Sequence, residues 1–201
     1  MVGKIFLFIV TVLLFQTPPK KVILFFGDSL TAGYGLSPEE AFPAQVENLL
    51  LKKGQKVKVV NAGLSGETTA GGLARIDWIL RQPIDLFVLE LGGNDGLRGL
   101  PLDQTRKNLQ AIIDKVKVKY PFCKIVLAGM MVPPNMGKEY SNSFQNLFKN
   151  ISKKNNTVLI PFLLEGVGGI ERLNQPDGIH PNAEGHKIVA ENLSRIISPL
   201  L

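Results

Sequence analysis

Four short polar segments carry the residue types that acyl transfer needs: Gly27-Asp28-Ser29-Leu30-Thr31, Asn61 to Glu67, Gly92-Gly93-Asn94-Asp95-Gly96 and Asp177-Gly178-Ile179-His180-Pro181. A serine hydroxyl is a weak nucleophile until a base takes its proton. Of only two histidines, His180 is the better placed, and Asp177 lies three residues upstream on the same tight loop. There the carboxylate can hold Nδ1–H, fix the tautomer and stabilise the imidazolium. The N–H groups of Ser29 and Gly66 and the side-chain amide of Asn94 can donate to a developing oxyanion. Glycine at 66 lets that N–H approach the reacting centre with no Cβ in the way. Taken alone, Ser29 reads equally well as a helix N-cap, and Asp28 as an organiser of its loop. Ser65 is the rival nucleophile, but the G-x-S-x-G elbow needs glycine at 67, where Glu67 stands.

Such residues work only if something brings the four segments together. Each follows, or in the last case lies beyond, a short apolar run: Val22–Phe26, Val57–Val60, Asp85–Leu91 and Thr157–Ile160, with a further run at Lys124–Ala128. Runs of this length, rich in β-branched residues and bounded by Gly or Pro, read as buried strands. Between them the spacing predicts helices over Pro43–Lys53, Thr68–Arg81, Leu102–Lys119, Glu139–Asn155 and Ala183–Ile197. Alternation of strand and helix makes a parallel sheet with helices on both faces the economical α/β fold. In open sheets of that kind, sites lie beyond the carboxyl ends of the strands, which is where the four polar segments fall. There is no internal repeat, linker or low-complexity tract.

Composition removes other chemistries. With 201 residues the chain suits one domain, and 45% hydrophobic against 20% charged residues excludes disorder. One cysteine excludes an internal disulfide framework and a Cys-based metal site, and two histidines leave little for a His-rich centre. A metal held by His180, His186 and nearby acids is the weaker reading, so no metal and no cofactor are expected. A net charge of +6 allows attraction to anionic membranes, and transient contact with membrane lipid. The lysines are scattered with no basic stripe interleaved with aromatics, so no nucleic-acid partner is expected. His186 reads as a surface or partly satisfied histidine, Cys123 as a small buried residue, and Arg75 and Asp77 as solvated.

Residues 1–20 stand apart. Lys4 precedes an apolar run, Ile5–Phe15, that is short for a membrane span but fits the h-region of an export signal. No A-x-A cleavage pattern follows in Gln16-Thr17-Pro18-Pro19. The expected organisation is a signal peptide or N-terminal anchor over 1–20 and one catalytic domain over 21–201, in the periplasm, secreted or held at a membrane.

The blocks GDSL (Gly27–Leu30), GGND (Gly92–Asp95) and DGIH (Asp177–His180) resemble those of the GDSL, or SGNH, hydrolase superfamily. LTAGYG, NAGLSGETTAGGLARI, LELGGNDGLRG and GIHPNAEGH are more closely similar to bacterial thioesterase I/lysophospholipase/arylesterase enzymes. The resemblance runs from about Lys21 to Ile197. It implies a three-layer α/β/α fold with a five-stranded, flavodoxin-like parallel sheet. It also implies a cofactor-free Ser-His-Asp acyl-enzyme mechanism, with Ser29, Gly66, Asn94 and His180 at the family's four named positions.

The expected activity is hydrolysis of small-molecule carboxylic and thio esters of short to medium acyl chains by a monomer. A carbohydrate acetylesterase and a non-catalytic flavodoxin-like binding module are the alternatives. Asp95, Leu97, Leu100 and Pro133 are the candidate substrate-binding residues. The segment Asp95–Pro101 starts at the oxyanion residue and reads as a loop, with Gly96 and Gly99 giving freedom and the leucines apolar surface. Met130–Pro134 leave the fourth strand and read as a second apolar wall.

Overall fold

The computed structural model describes residues 20–201; the expected leader lies outside the described residues. Five strands form one parallel sheet: β1 (Lys21–Gly27), β2 (Val57–Gly63), β3 (Leu86–Glu90), β4 (Lys124–Ala128) and β5 (Val158–Ile160). Their order is β2-β1-β3-β4-β5, the flavodoxin-like order the resemblance implied. Strand order reverses at β1, which pairs with β2 on one side and β3 on the other. Phe25, Phe26, Phe87 and Leu89 are fully buried, as expected of strands covered on both faces.

Among the described residues, seven α-helices lie between and after the strands: α1 (Ser29–Ala32), α2 (Phe42–Lys52), α3 (Thr69–Ile79), α4 (Gly93–Leu97), α5 (Leu102–Lys119), α6 (Lys138–Asn155) and α7 (Ala183–Ile197). Helix α2 packs on α7, while α5 packs on both α3 and α6, giving two helical layers around the sheet. The apolar positions Leu109, Ile112, Ile113 and Val116 of α5 are all buried, so its helical period is also its packing face. Asn182 caps α7 by accepting from Gly185 N–H at 3.1 Å. No described helix is long and apolar enough to cross a membrane.

Three expectations need correction. The segment after Asn94 is a loop only from Arg98 on: residues 93–97 form α4, and Gly96 is there for space rather than freedom. A Cβ at Gly96 would sit 2.5 Å from Val132 Cγ1 and 2.8 Å from the Phe144 ring. Arg75 is not solvated: it forms an ion pair with buried Glu67, and its guanidinium lies 4.2 Å from the Phe26 ring centroid. Asp77 is exposed as expected and pairs with Lys115. Cys123 is only half-buried, in the turn before β4, and its thiol is pushed up to about 12 by burial and by the charge of Asp85.

Candidate active site

The turn from β1 into α1 is built around a close approach. A Cβ at Gly27 would lie 2.2 Å from Thr31 Oγ1 and 2.3 Å from Glu90 Oε2, so only glycine lets β3 and α1 meet there. Asp28, the next residue, is the N-cap of α1 and accepts from Leu30 N–H at 3.0 Å. Ser29 is therefore the first helical residue and not a cap; its hydroxyl is free to point away from the backbone. Its Oγ lies 2.9 Å from His180 Nε2.

His180 comes from the segment between β5 and α7, some 150 residues away in sequence. Gln175 holds that segment in place: its N–H donates to the His180 carbonyl (2.7 Å) and its Nε2 to the carbonyl of Tyr34 (2.7 Å). The Tyr34 ring lies 4.7 Å from the imidazole, centroid to centroid. Asp177 Oδ2 is 2.7 Å from His180 Nδ1, and Oδ1 accepts from the N–H groups of Ile179 (2.9 Å) and His180 (3.0 Å). The backbone N–H of His180, then its ring, then the N–H of Ile179 hold the Asp177 carboxyl down to about 2. Asp177 thus stays anionic opposite Nδ1 and favours the tautomer with its proton there, leaving Nε2 as an acceptor for Ser29.

Gly66 lies on the turn after β2 with φ +78°, a conformation that favours glycine. Among the described residues, neither the Ser29 N–H nor the Gly66 N–H has a hydrogen-bond partner. The turn is fixed from both sides: Arg98 Nη2 donates to the Gly66 carbonyl (3.1 Å), and the Arg75–Glu67 pair anchors the next residue. Asn94, on α4, aims its Nδ2 between the turns. That amide donates to Asp28 Oδ2 and to the Glu67 carbonyl, both at 3.0 Å. The structure brings together Ser29, His180, Asp177, Gly66 and Asn94: a hydroxyl facing a base, a base facing a carboxylate, and the Asn94 amide bridging the residue before Ser29 and the residue after Gly66. Such an arrangement can deprotonate a hydroxyl as it attacks and hold the oxyanion that forms. Ser65 is exposed, and the ring hydrogen bonds of both histidines go to other residues.

The four candidate substrate residues separate. Asp95 is buried and unavailable to a substrate: its carboxylate accepts from Thr69 N–H (2.8 Å) and from the hydroxyls of Thr69 and Thr105. It ties α4 to the starts of α3 and α5 instead. Leu97 is exposed, Leu100 half-buried and Pro133 exposed. Met130 and Val132 are buried in the core, whereas Met131 is exposed. His186 is a core residue and not a surface one: its Nδ1 accepts from Phe42 N–H at 3.0 Å, and burial pushes it down to about 4.

Sequence reasoning missed Glu90. It sits at the end of β3, fully buried, directly behind the Ser29 turn. Its Oε2 accepts from Asp28 N–H (3.1 Å) and Thr31 Oγ1 (2.8 Å), while Oε1 is buried with no donor facing it. Burial, then the charge of Asp28, pushes Glu90 well above the usual carboxylate range, and burial raises Asp28 to about 6. Glu90 therefore holds a proton more readily than an exposed glutamate, and it is tied to Asp28 through the Asp28 N–H. The signal was visible: a glutamate inside the apolar run Leu86–Leu91.

A carboxyl harder to ionise when folded keeps its proton preferentially in the native state, so stability falls as pH rises through the unfolded value and beyond. Glu90→Gln removes that slope. The melting temperature of Glu90→Gln relative to wild type should therefore climb as pH rises above the ordinary glutamate value of about 4.3. His186, with the opposite slope, is present in both proteins and cancels in the difference. Thermal melts across the range check this; a flat difference would mean that Glu90 ionises as readily folded as unfolded.

Residues 25–188 match the model of the GDSL-like Lipase/Acylhydrolase family. The chain is 39% identical to Esterase TesA of Pseudomonas aeruginosa over 191 residues, covering 94% of each chain. It is 37% identical to thioesterase 1/protease 1/lysophospholipase L1 of Escherichia coli over 197 residues, covering 98% of this chain and 92% of that one. A crystal structure of TesA superposes with a TM-score of 0.86 at 38% identity, covering 90% of this chain and all of that one. The resemblance read from the GDSL, GGND and DGIH blocks therefore holds over nearly the whole length. The chain belongs to the GDSL-like lipase/acylhydrolase family and is an enzyme that hydrolyses esters.

Proposed function

We propose that the chain hydrolyses carboxylic and thio esters of short to medium acyl chains through an acyl-enzyme on Ser29. The observation that carries this reading is the pair of contacts His180 Nε2 to Ser29 Oγ, 2.9 Å, and His180 Nδ1 to Asp177 Oδ2, 2.7 Å. Ser29 Oγ attacks the acyl carbonyl while its proton passes to Nε2. The oxyanion takes hydrogen bonds from Ser29 N–H, Gly66 N–H and the Asn94 amide. The imidazolium, held by Asp177, then gives its proton to the leaving alkoxide or thiolate. Water attacks the acyl-enzyme along the same path, His180 takes its proton, and Ser29 leaves with the proton returned from Nε2. No step calls for a metal or cofactor, and the described residues hold no cluster of three or more metal-ligating side chains. A series of p-nitrophenyl esters and acyl-CoAs of increasing chain length tests the substrate class; activity on acetylated sugars alone would replace it with the carbohydrate reading.

Leu97 lies one turn beyond Asn94 on α4, on the same side of the helix. With Met131 exposed after β4, it offers apolar surface for an alkyl chain. Each buried methylene is worth about 0.8 kcal/mol at most, so selection per carbon is modest. Leu97→Ala should raise KM more for octanoyl than for acetyl esters. Its exposure means the melting temperature should hold. Equal effects on both esters, read by steady-state kinetics, would remove Leu97 from the acyl site.

Export is the reading of the leader: the run Ile5–Phe15 supports it, and cleavage is expected near residues 16–20. Intact-mass analysis of the protein from its host checks this, and a species still beginning at Met1 would favour an N-terminal anchor.

A further inference from the structure

Because every strand is parallel and each long helix returns antiparallel to it, the molecule has two unlike ends. The ester-hydrolysing loops occupy the end where strands finish. The other end gathers the starts of the strands, with Lys21, Val57, Leu86 and Lys124 near one row of the sheet. The last turns of α2, α5 and α6 lie there too, carrying Lys52, Lys117, Lys119, Lys153 and Lys154. Among the described residues, the side chains of Lys53, Lys56, Arg81 and Lys119 at this end have no carboxylate partner. Acids are sparse there: Asp85 pairs with Lys21, and Asp77 with Lys115. The acidic first turns of α5, α6 and α7, with Asp103, Glu139 and Glu184, lie at the opposite end.

Bases in last helical turns complement the helix dipoles, and that alone accounts for lysines on a solvated face. It does not account for the aromatics among them. Phe122 is 98% exposed and Trp78 65% exposed, with Val118 also open. Tyr120 OH donates to the carbonyls of Leu80 and Gln82, which brings the turn carrying Phe122 against the end of α3 carrying Trp78. The Lys115–Asp77 pair sets Val118, one turn further along α5, beside the same stretch. Lys20, the first described residue, leads into β1 from this end.

We propose that this end of the molecule docks on an anionic lipid surface, with Trp78 and Phe122 at headgroup depth and the lysines of the same end facing lipid phosphates. Aromatic rings with one apolar and one wet side favour that depth, and clustered bases are drawn to anionic leaflets. The loops that hydrolyse esters then face water, where dissolved substrate reaches them, while the enzyme stays concentrated at the membrane.

Trp78 is the single tryptophan, so its emission reports contact directly. The full chain is titrated with phosphatidylcholine–phosphatidylglycerol vesicles and with phosphatidylcholine vesicles alone. A blue shift that appears only with the anionic vesicles and fades with added salt is expected. In Lys53→Ala/Lys119→Ala the affinity should fall by about fivefold per lysine, and Phe122→Ser should also weaken binding. Both variants should hydrolyse a soluble p-nitrophenyl ester at the wild-type rate. An unshifted Trp78 emission at low salt, an equal shift with both vesicle types, or unchanged affinity in the lysine variant would each overturn the proposal.

Discussion

Ser29→Ala should lower kcat for ester hydrolysis by roughly 10⁴- to 10⁶-fold while the protein stays folded. The loss is that large because the hydroxyl is the bond-forming atom. Without it His180 can at best activate a water in the space left behind. The fold should tolerate the change. Ser29 contributes to α1 through its backbone carbonyl, which accepts from Gly33 N–H (3.1 Å) and Tyr34 N–H (3.0 Å), and alanine keeps both. Its Oγ touches only His180 among the described residues. The melting temperature should therefore shift within the range of an ordinary surface substitution, about 0.5 kcal/mol. Labelling by a fluorophosphonate probe should vanish with the activity. If Ser65→Ala abolished turnover and Ser29→Ala did not, the nucleophile would be the other serine.

The elements most legible in the sequence are those whose reasons are local. Helix α5 was expected at Leu102–Lys119 and α7 at Ala183–Ile197, and both bounds hold. In α5 the apolar period sets the buried face; in α7 the Asn182 cap sets the start. Strand β4 is also found at the expected Lys124–Ala128. Strand β2 runs three residues past the expected Val60, because Asn61–Gly63 pair with β1 as far as Gly27. The helices α1 and α4 escaped notice since four or five residues are too few to show a period. What the sequence hides is long-range. Asp95 looked like a substrate residue because it adjoins Asn94, yet its partners Thr69 and Thr105 come from two other helices. Arg75 read as a solvated charge because nothing local shows that the Phe26 ring would lie under the guanidinium. The convergence of Ser29, Asn94 and His180 was readable for a topological reason: parallel strands deliver all their following loops to one edge.

Asn94→Ala should lower kcat by roughly 10²- to 10³-fold with little change in KM, the signature of a donor felt mainly in the transition state. The geometry sharpens this expectation. Both hydrogens of the Asn94 amide are engaged before substrate arrives, one with Asp28 Oδ2 and one with the Glu67 carbonyl. An oxyanion must therefore share or displace one of these bonds. A ground-state carbonyl is a weaker acceptor than either partner, so it gains little from Asn94 and KM should hardly respond. A full negative charge outcompetes the neutral Glu67 carbonyl, so the interaction is made as the tetrahedral intermediate forms. The carboxylate of Asp28 keeps the amide aimed through that exchange, and Glu90 behind it, accepting from the Asp28 N–H, holds Asp28 in place. Truncation to alanine also strips Asp28 Oδ2 of its donor in a buried setting, which costs stability and should lower the melting temperature. Asn94→Asp separates the two effects, since it keeps the size but places a second carboxylate against Asp28. If Asn94 acts through the oxyanion, alanine and aspartate both lose kcat, and aspartate loses more because its charge repels the intermediate. If Asn94 only braces the turn, kcat in Asn94→Ala should return to near wild type at a temperature well below its melting point, which steady-state kinetics on one ester would reveal.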